Sequence, residues 1–171
     1  MNKPTEIIAY KAFFKGLTNN IDGIQYEIGK PYTTPDKLQY QRGGYHMCEQ
    51  FEDCYKFLKA TETEIDLTLV KGFGNYYGVD AGERSLDDST GIIYMCEKME
   101  ILKIFSREEI IQLALELPPY RMQSFLFNYP LLKEEKAMIM NSYIYGTNDL
   151  KFIAKRKTKK IEKPFYLLDQ Q

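Results

Sequence analysis

Apolar and polar positions alternate in distinct blocks along the chain. Glu6 to Phe14, EIIAYKAFF, is rich in β-branched and aromatic residues and stops at Lys15-Gly16, which predicts a strand buried on at least one face. IQYEI at 24–28 alternates and ends at Gly29 and Pro31, which predicts a second strand with an antiparallel neighbour. Gly43-Gly44 introduce a short strand, YHMC, at 45–48. Phe51, Cys54, Tyr55 and Leu58 then take the i, i+3, i+4, i+7 spacing of one helix face, predicting a helix over 50–59. EIDLTLV at 64–70 has the period of two that marks a half-buried strand.

The alternation stops at Lys71. KGFGNYYGVDAGERSLDDSTG, residues 71–91, holds five glycines and a cluster of acids, and reads as a functional loop or a disordered insertion. IIYMCEKMEILKIF at 92–105 is again strand-like, as one strand or as two divided at Glu97-Lys98. Ser106 and Glu109 have the spacing of a capping box, so a helix should follow. Three helical pieces fill 107–146, the first closed by Pro118-Pro119, the second by Pro130 and the third by Gly146. LKFIAKRKTKK and KPFYLLDQQ end the chain as one late strand and a trailing tail. The expected fold is therefore α+β: a mostly antiparallel sheet with one packed helix, plus a C-terminal helical subdomain. Its expected divisions are a core at 1–105, a helical extension at 106–150 and a basic segment at 151–171.

A chain of 171 residues is long enough to bury ~70% of its unfolded surface, so neither a metal nor a disulfide is needed to hold it. Fourteen Tyr and ten Phe without a Trp favour strands and tyrosine-lined surfaces. Three cysteines and no apolar segment of secretory or membrane length point to reduced thiols, a cytoplasmic setting and no membrane partner. The net charge of -1 conceals an acidic body and a basic tail. Lys151, Lys155, Arg156, Lys157, Lys159 and Lys160 are the residues through which a nucleic acid would be held, as clustered cations release phosphate counterions.

Residues 43–58 concentrate the candidate chemistry. His46, Cys48, Cys54 and Cys96 are chemically suitable zinc ligands, but they lack the paired C-x2-C spacing, and no metal site is assigned. Cys48, two residues from His46 on one strand face, has a base within reach but no third group to orient it. The glycines of KGFGNYYG match neither phosphate-binding pattern, whereas adjacent Tyr76 and Tyr77 suit a loop that grips a protein.

In order, YKAF (10–13), IQYEIGKPY (24–32), GYHMCE (44–49) and MEILKIF (99–105) resemble a family of small uncharacterised domains of bacteria and their phages. The resemblance covers about three fifths of the chain and implies a shared α+β fold without an assigned activity. This sequence departs from the pattern at Ile24, where the family has an aromatic, in the enlarged 71–91 segment and in the helical extension. A fold-level likeness to ADP-ribosyltransferases implies NAD as cofactor, with Lys11 where those enzymes have His or Arg, then Tyr45 and His46, and Glu97 or Glu100 as the late acid.

Two functions follow. One is a non-catalytic protein-interaction module that uses Phe73, Tyr76 and Tyr77 together with the surface of Tyr45 and Glu49. The other is an enzyme or NAD-binding domain built on Tyr10, Lys11, Tyr45 and His46.

Overall fold

The computed structural model describes residues 6–19, 23–35, 37–39, 43–58, 65–80 and 91–145. The basic segment at 151–171, and with it the expected late strand and nucleic-acid surface, lies outside the described residues, as do residues 81–90 of the glycine-rich segment. The chain divides into a compact unit ending at Ser106 and a second beginning at Arg107.

Five strands are described in the first unit: β1 (Glu6–Phe14), β2 (Pro31–Thr33), β3 (Tyr45–Cys48), β4 (Ile65–Asp80) and β5 (Ile92–Ile104). Their ladders are antiparallel. β1 pairs along its whole length with β4, from Glu6 opposite Phe73 to Phe14 opposite Ile65. β4 pairs with β5, β5 with both β2 and β3, and β3 meets β1 again where Cys48 faces Tyr10. The pairings thus close a ring β1-β4-β5-β3-β1, and the sheet curls around its own core. That core holds Ala9, Phe13, Leu17, Tyr26, Met47, Val70, Cys96, Met99 and Ile101, all buried.

The curl comes from two bulges in the β4–β5 hairpin, each adding one unpaired residue and bending the strand. Leu102 is extra on β5, between the Leu69–Lys103 and Val70–Ile101 pairs. On β4, the two residues between Phe73 and Tyr76, Gly74 and Asn75, face only one on β5, Glu97, between Lys98 and Cys96. Gly74 lies there at φ 79, a conformation that a Cβ would make costly. The neighbouring Asn75 gives its main-chain N–H and its amide to Glu97 Oε2, both at 3.1 Å, so the carboxylate satisfies the bulge's displaced donor.

Several expectations change here. Residues 71–80 are strand, not loop: β4 continues ten residues past Val70 because its glycines meet close neighbours, not because it turns. A Cβ on Gly72 would stand 2.4 Å from Cys96 Sγ and 2.7 Å from Met47 Sδ. Residues 92–104 are one strand rather than two. IQYEI forms isolated bridges, Thr18–Gln25 and Ile28–Ile101, instead of a strand. Ile24 and Ile28 stay exposed while Tyr26 alone of the three enters the core, and the strand lies just beyond, at the supposed breaker Pro31. The helix expected over 50–59 is a 3₁₀ helix, Phe51–Phe57, that buries Phe51 through Tyr55 on consecutive positions.

The second unit contains α1 (Arg107–Leu115), α2 (Pro119–Asn128) and α3 (Lys133–Tyr145). Ile110, Ile111, Ala114, Leu115, Met122, Phe125 and Ile139 are buried, and Phe125 stacks on Tyr129 at 4.8 Å. Arg107 grips both oxygens of Glu135 at 2.6 Å and donates to the Pro130 carbonyl at 2.9 Å. Glu135 in turn accepts the Leu132 N–H at 2.8 Å, which caps the start of α3.

Candidate binding surface

The sheet register decides which candidate residues share a face, because cross-strand partners point the same way and neighbours along a strand point oppositely. Tyr45 on β3 and Tyr76 on β4 are both opposite Cys96 of β5, one on each side. Two residues along β5, Tyr94 lies between Met47 and Gly78 in the same manner. A Cβ on Gly78 would come within 3.2 Å of the Tyr94 ring, so the ring packs over a position that has no side chain. Tyr45, Tyr76 and Tyr94 therefore lie on the side of β3, β4 and β5 that Cys96 and Met47 take, the side of the core, and form a three-strand patch at its margin. All three are half-buried and pack against the core, joined by Tyr32 at its margin. Tyr26 lies beneath, edge-on to Tyr32 at 4.7 Å and to Tyr45 at 6.4 Å.

Glu49 borders this patch. Its main-chain N–H donates to the Ile92 carbonyl at 2.9 Å and its carboxylate accepts the Ile92 N–H at 3.0 Å, which seals the end of the β3–β5 ladder. The side chain remains exposed. Burial raises the Tyr94 phenol above its ordinary pKa, and the nearby Glu49 carboxylate raises it further.

The remaining binding candidates lie elsewhere. Tyr77 pairs with Met95 and so points to the face opposite Tyr76. Phe73 sits under the Lys71 ammonium, 5.5 Å from its ring centre. Tyr10 packs between Phe51 and Phe105, at 6.0 and 5.9 Å.

Lys11 and His46 are brought together, but through the backbone. Lys11 Nζ donates to the His46 carbonyl at 2.8 Å, and the ring Nδ1 lies 3.1 Å from the Gly44 carbonyl. Burial first, and then the Lys11 charge, hold the imidazole below its ordinary pKa. The two candidate acids are committed to other bonds, Glu97 to Asn75 and Glu100 to Lys71 at 2.9 Å.

The thiols divide between the two sides of β3 and β5. Cys96 faces the core with its Sγ 3.8 Å from Met47 Sδ, and burial pushes it up to about 12. Cys48 alternates away from Met47 and meets Cys54 of the 3₁₀ helix, whose thiol is raised by burial and by that contact. All three cysteines are free and buried. Among the described residues, no three His, Cys, Asp or Glu side chains are grouped to hold a metal ion. No helix of the described residues is long and apolar enough to cross a membrane.

Tyr94 is the patch residue that sequence reading overlooks. It sits inside an apolar run, and its neighbours emerge only once the hairpin register is known.

A curled antiparallel sheet bearing an aromatic patch on one face, followed by a helical unit, defines an α+β protein. Residues 7–113, more than half of the chain, match the family described as Domain of unknown function (DUF7666), and the chain belongs to that family. No curated protein and no solved structure matches it.

Proposed function

We propose that the protein is a non-catalytic interaction module whose partner contacts the Tyr45–Tyr76–Tyr94 patch. The observation that supports this most is the register: three tyrosines distant in sequence converge on one face of three adjacent strands, partly exposed and backed by a fully packed core. Tyrosine offers a large, stiff contact area with a polar tip, which makes it a favoured anchor of protein interfaces. Such anchors bind best when their support is rigid, and Tyr26, Met47 and Cys96 provide that support here. Among the described residues, Lys11 Nζ donates to the His46 carbonyl while Glu97 and Glu100 bond Asn75 and Lys71, an arrangement that supports the module over the NAD-enzyme reading. Three reduced, buried thiols accord with a cytoplasmic setting.

The test is capture from cells that make the protein, using wild type and a Tyr76→Ala/Tyr94→Ala variant whose fold is checked by circular dichroism. A partner retained by wild type and released by the variant supports the module, and a partner held equally by both contradicts it. Thermal melting with NAD examines the enzyme reading in parallel. Saturable stabilisation, worth about 2.7 kcal/mol at 100 times Kd, would favour it.

A further inference from the structure

We infer that Cys48 and Cys54 are a dithiol pair that closes to a reversible disulfide, a redox switch between the end of β3 and the 3₁₀ helix. It lies on the face of β3 opposite Tyr45 and is independent of the interaction role proposed above.

Chain geometry puts the two thiols together. Tyr45 and Met47 point to the core, so His46 and Cys48 point to the other side of β3. Only Glu49 and Gln50 separate the strand from the helix Phe51–Phe57. Three residues per turn set Cys54 directly over Phe51 on one face of that helix. The Phe51 ring meets Tyr10 edge-on at 6.0 Å, and Tyr10 is the β1 partner of Cys48. The helix face that carries Cys54 therefore rests on the strand pair that carries Cys48, and the two thiols are in contact, both buried. Cys96 supplies the contrast. It faces the core, where its Sγ meets Met47 Sδ at 3.8 Å instead of a thiol.

The chemistry follows from the pair. With oxidised glutathione, a small disulfide, as the oxidant, the Cys54 thiolate attacks one glutathione sulfur and expels a glutathione thiolate. The Cys48 thiolate then attacks the Cys54 sulfur of the mixed disulfide and expels the second. Cys48 and Cys54 together lose two electrons and two protons, and the glutathione disulfide becomes two thiols. Excess reduced glutathione runs both steps backwards. Burial and the Cys48 contact hold the Cys54 thiol above its ordinary pKa, against the Lys11 charge, so it reacts little while the helix is closed. A 3₁₀ helix has poorer hydrogen bonds than an α-helix, and the Cys54 thiol reaches the Gln50 carbonyl only at 3.9 Å, so local opening of this short element exposes the pair. In a reducing compartment such pairs are transient and sense oxidants instead of stapling a fold.

The test holds the full chain in glutathione buffers of increasing oxidised fraction, quenches with acid, alkylates the remaining thiols after unfolding and maps them by peptide mass spectrometry. The expected product has lost two hydrogen atoms, links Cys48 to Cys54 and leaves Cys96 alkylated. Returning it to reduced buffer should restore alkylation at all three cysteines. In the folded chain Cys96 should react at least about ten-fold more slowly than the pair, a protection that urea should remove. Cys54→Ser should abolish the linked peptide, and Cys96→Ala should retain it. A disulfide that includes Cys96, a glutathione adduct on Cys48 or Cys54 that never closes, or three alkylated cysteines in the most oxidised buffer overturns the inference. These wild-type outcomes stand even if a variant misfolds. The tyrosine substitutions read the interaction role separately, so neither result decides the other.

Discussion

The Lys11 ammonium donates to the main-chain carbonyl of His46 across 2.8 Å, not to its ring. β3 meets β1 through a single residue pair, Tyr10 with Cys48, so the β3 edge beside Lys11 has no continuous ladder. The lysine supplies the donor that a paired strand would have given. Removing it by Lys11→Met takes a charged donor away from a part-buried carbonyl, which should cost ~1–3 kcal/mol in urea unfolding. The same change removes a positive charge that lowers the His46 pKa, so the imidazole should titrate higher than in wild type. His46 is the one histidine of the chain, and a single proton resonance followed against pH reports it. The sign for stability follows. A histidine held below its ordinary 6.5 takes up its proton more readily when unfolded. Its contribution is present above that value and is lost as pH falls toward the folded pKa, and Lys11→Met should shrink this loss.

Gly72 faces the sulfur atoms of Met47 and Cys96 inside the curl. A methyl group there overfills a closed core, so Gly72→Ala should destabilise by ~1–3 kcal/mol. Cys96→Ala removes the nearest obstacle. In a double-mutant cycle, adding it should recover part of the Gly72→Ala loss, giving a favourable coupling of ~0.5 kcal/mol or more. Strict additivity would mean that the two positions do not share the space between β4 and β5.

In the helical unit, Glu135 joins α3 to Arg107 at the start of α1. Burial by itself would raise this carboxyl, but the Arg107 fork and the Leu132 N–H hold it below its ordinary 4.5. A carboxyl with a lowered folded pKa stabilises above its unfolded value and loses that contribution as pH falls through the folded one. Arg107 is partly exposed, so solvent screens the pair, and Arg107→Ala should cost ~1 kcal/mol at neutral pH. The difference between wild type and variant, read from the helical circular dichroism signal on melting, should narrow at acid pH.

β1 was legible from its β-branched and aromatic content and the first half of β4 from its period of two, and the two pair without interruption, whereas IQYEI alternates as well and forms only isolated bridges. The rest depended on contacts between distant residues. KGFGNYYGVD looks like a loop because glycine ordinarily weakens a strand, yet Gly72 marks a close approach and Gly74 a bulge. Met99 and Cys96 both reach the core although they are three apart, and that change of phase is what made Glu97-Lys98 resemble a break between two strands. The site was partly legible for the same reason. Tyr45 and Tyr76 stand out in sequence, but that Tyr94 joins them and Tyr77 does not is decided by the hairpin register.

That division gives the most direct measurement of the central claim. Tyr94 and Tyr77 lie on one hairpin but on opposite faces. Each is replaced, in separate proteins, by a photo-crosslinking phenylalanine analogue, and the proteins are irradiated in the cells that make the native chain. Partner adducts from position 94 and none from position 77 are the predicted result. Adducts from position 77 alone, equal adducts from both, or none from either would contradict the assignment of the tyrosine patch as the partner's contact.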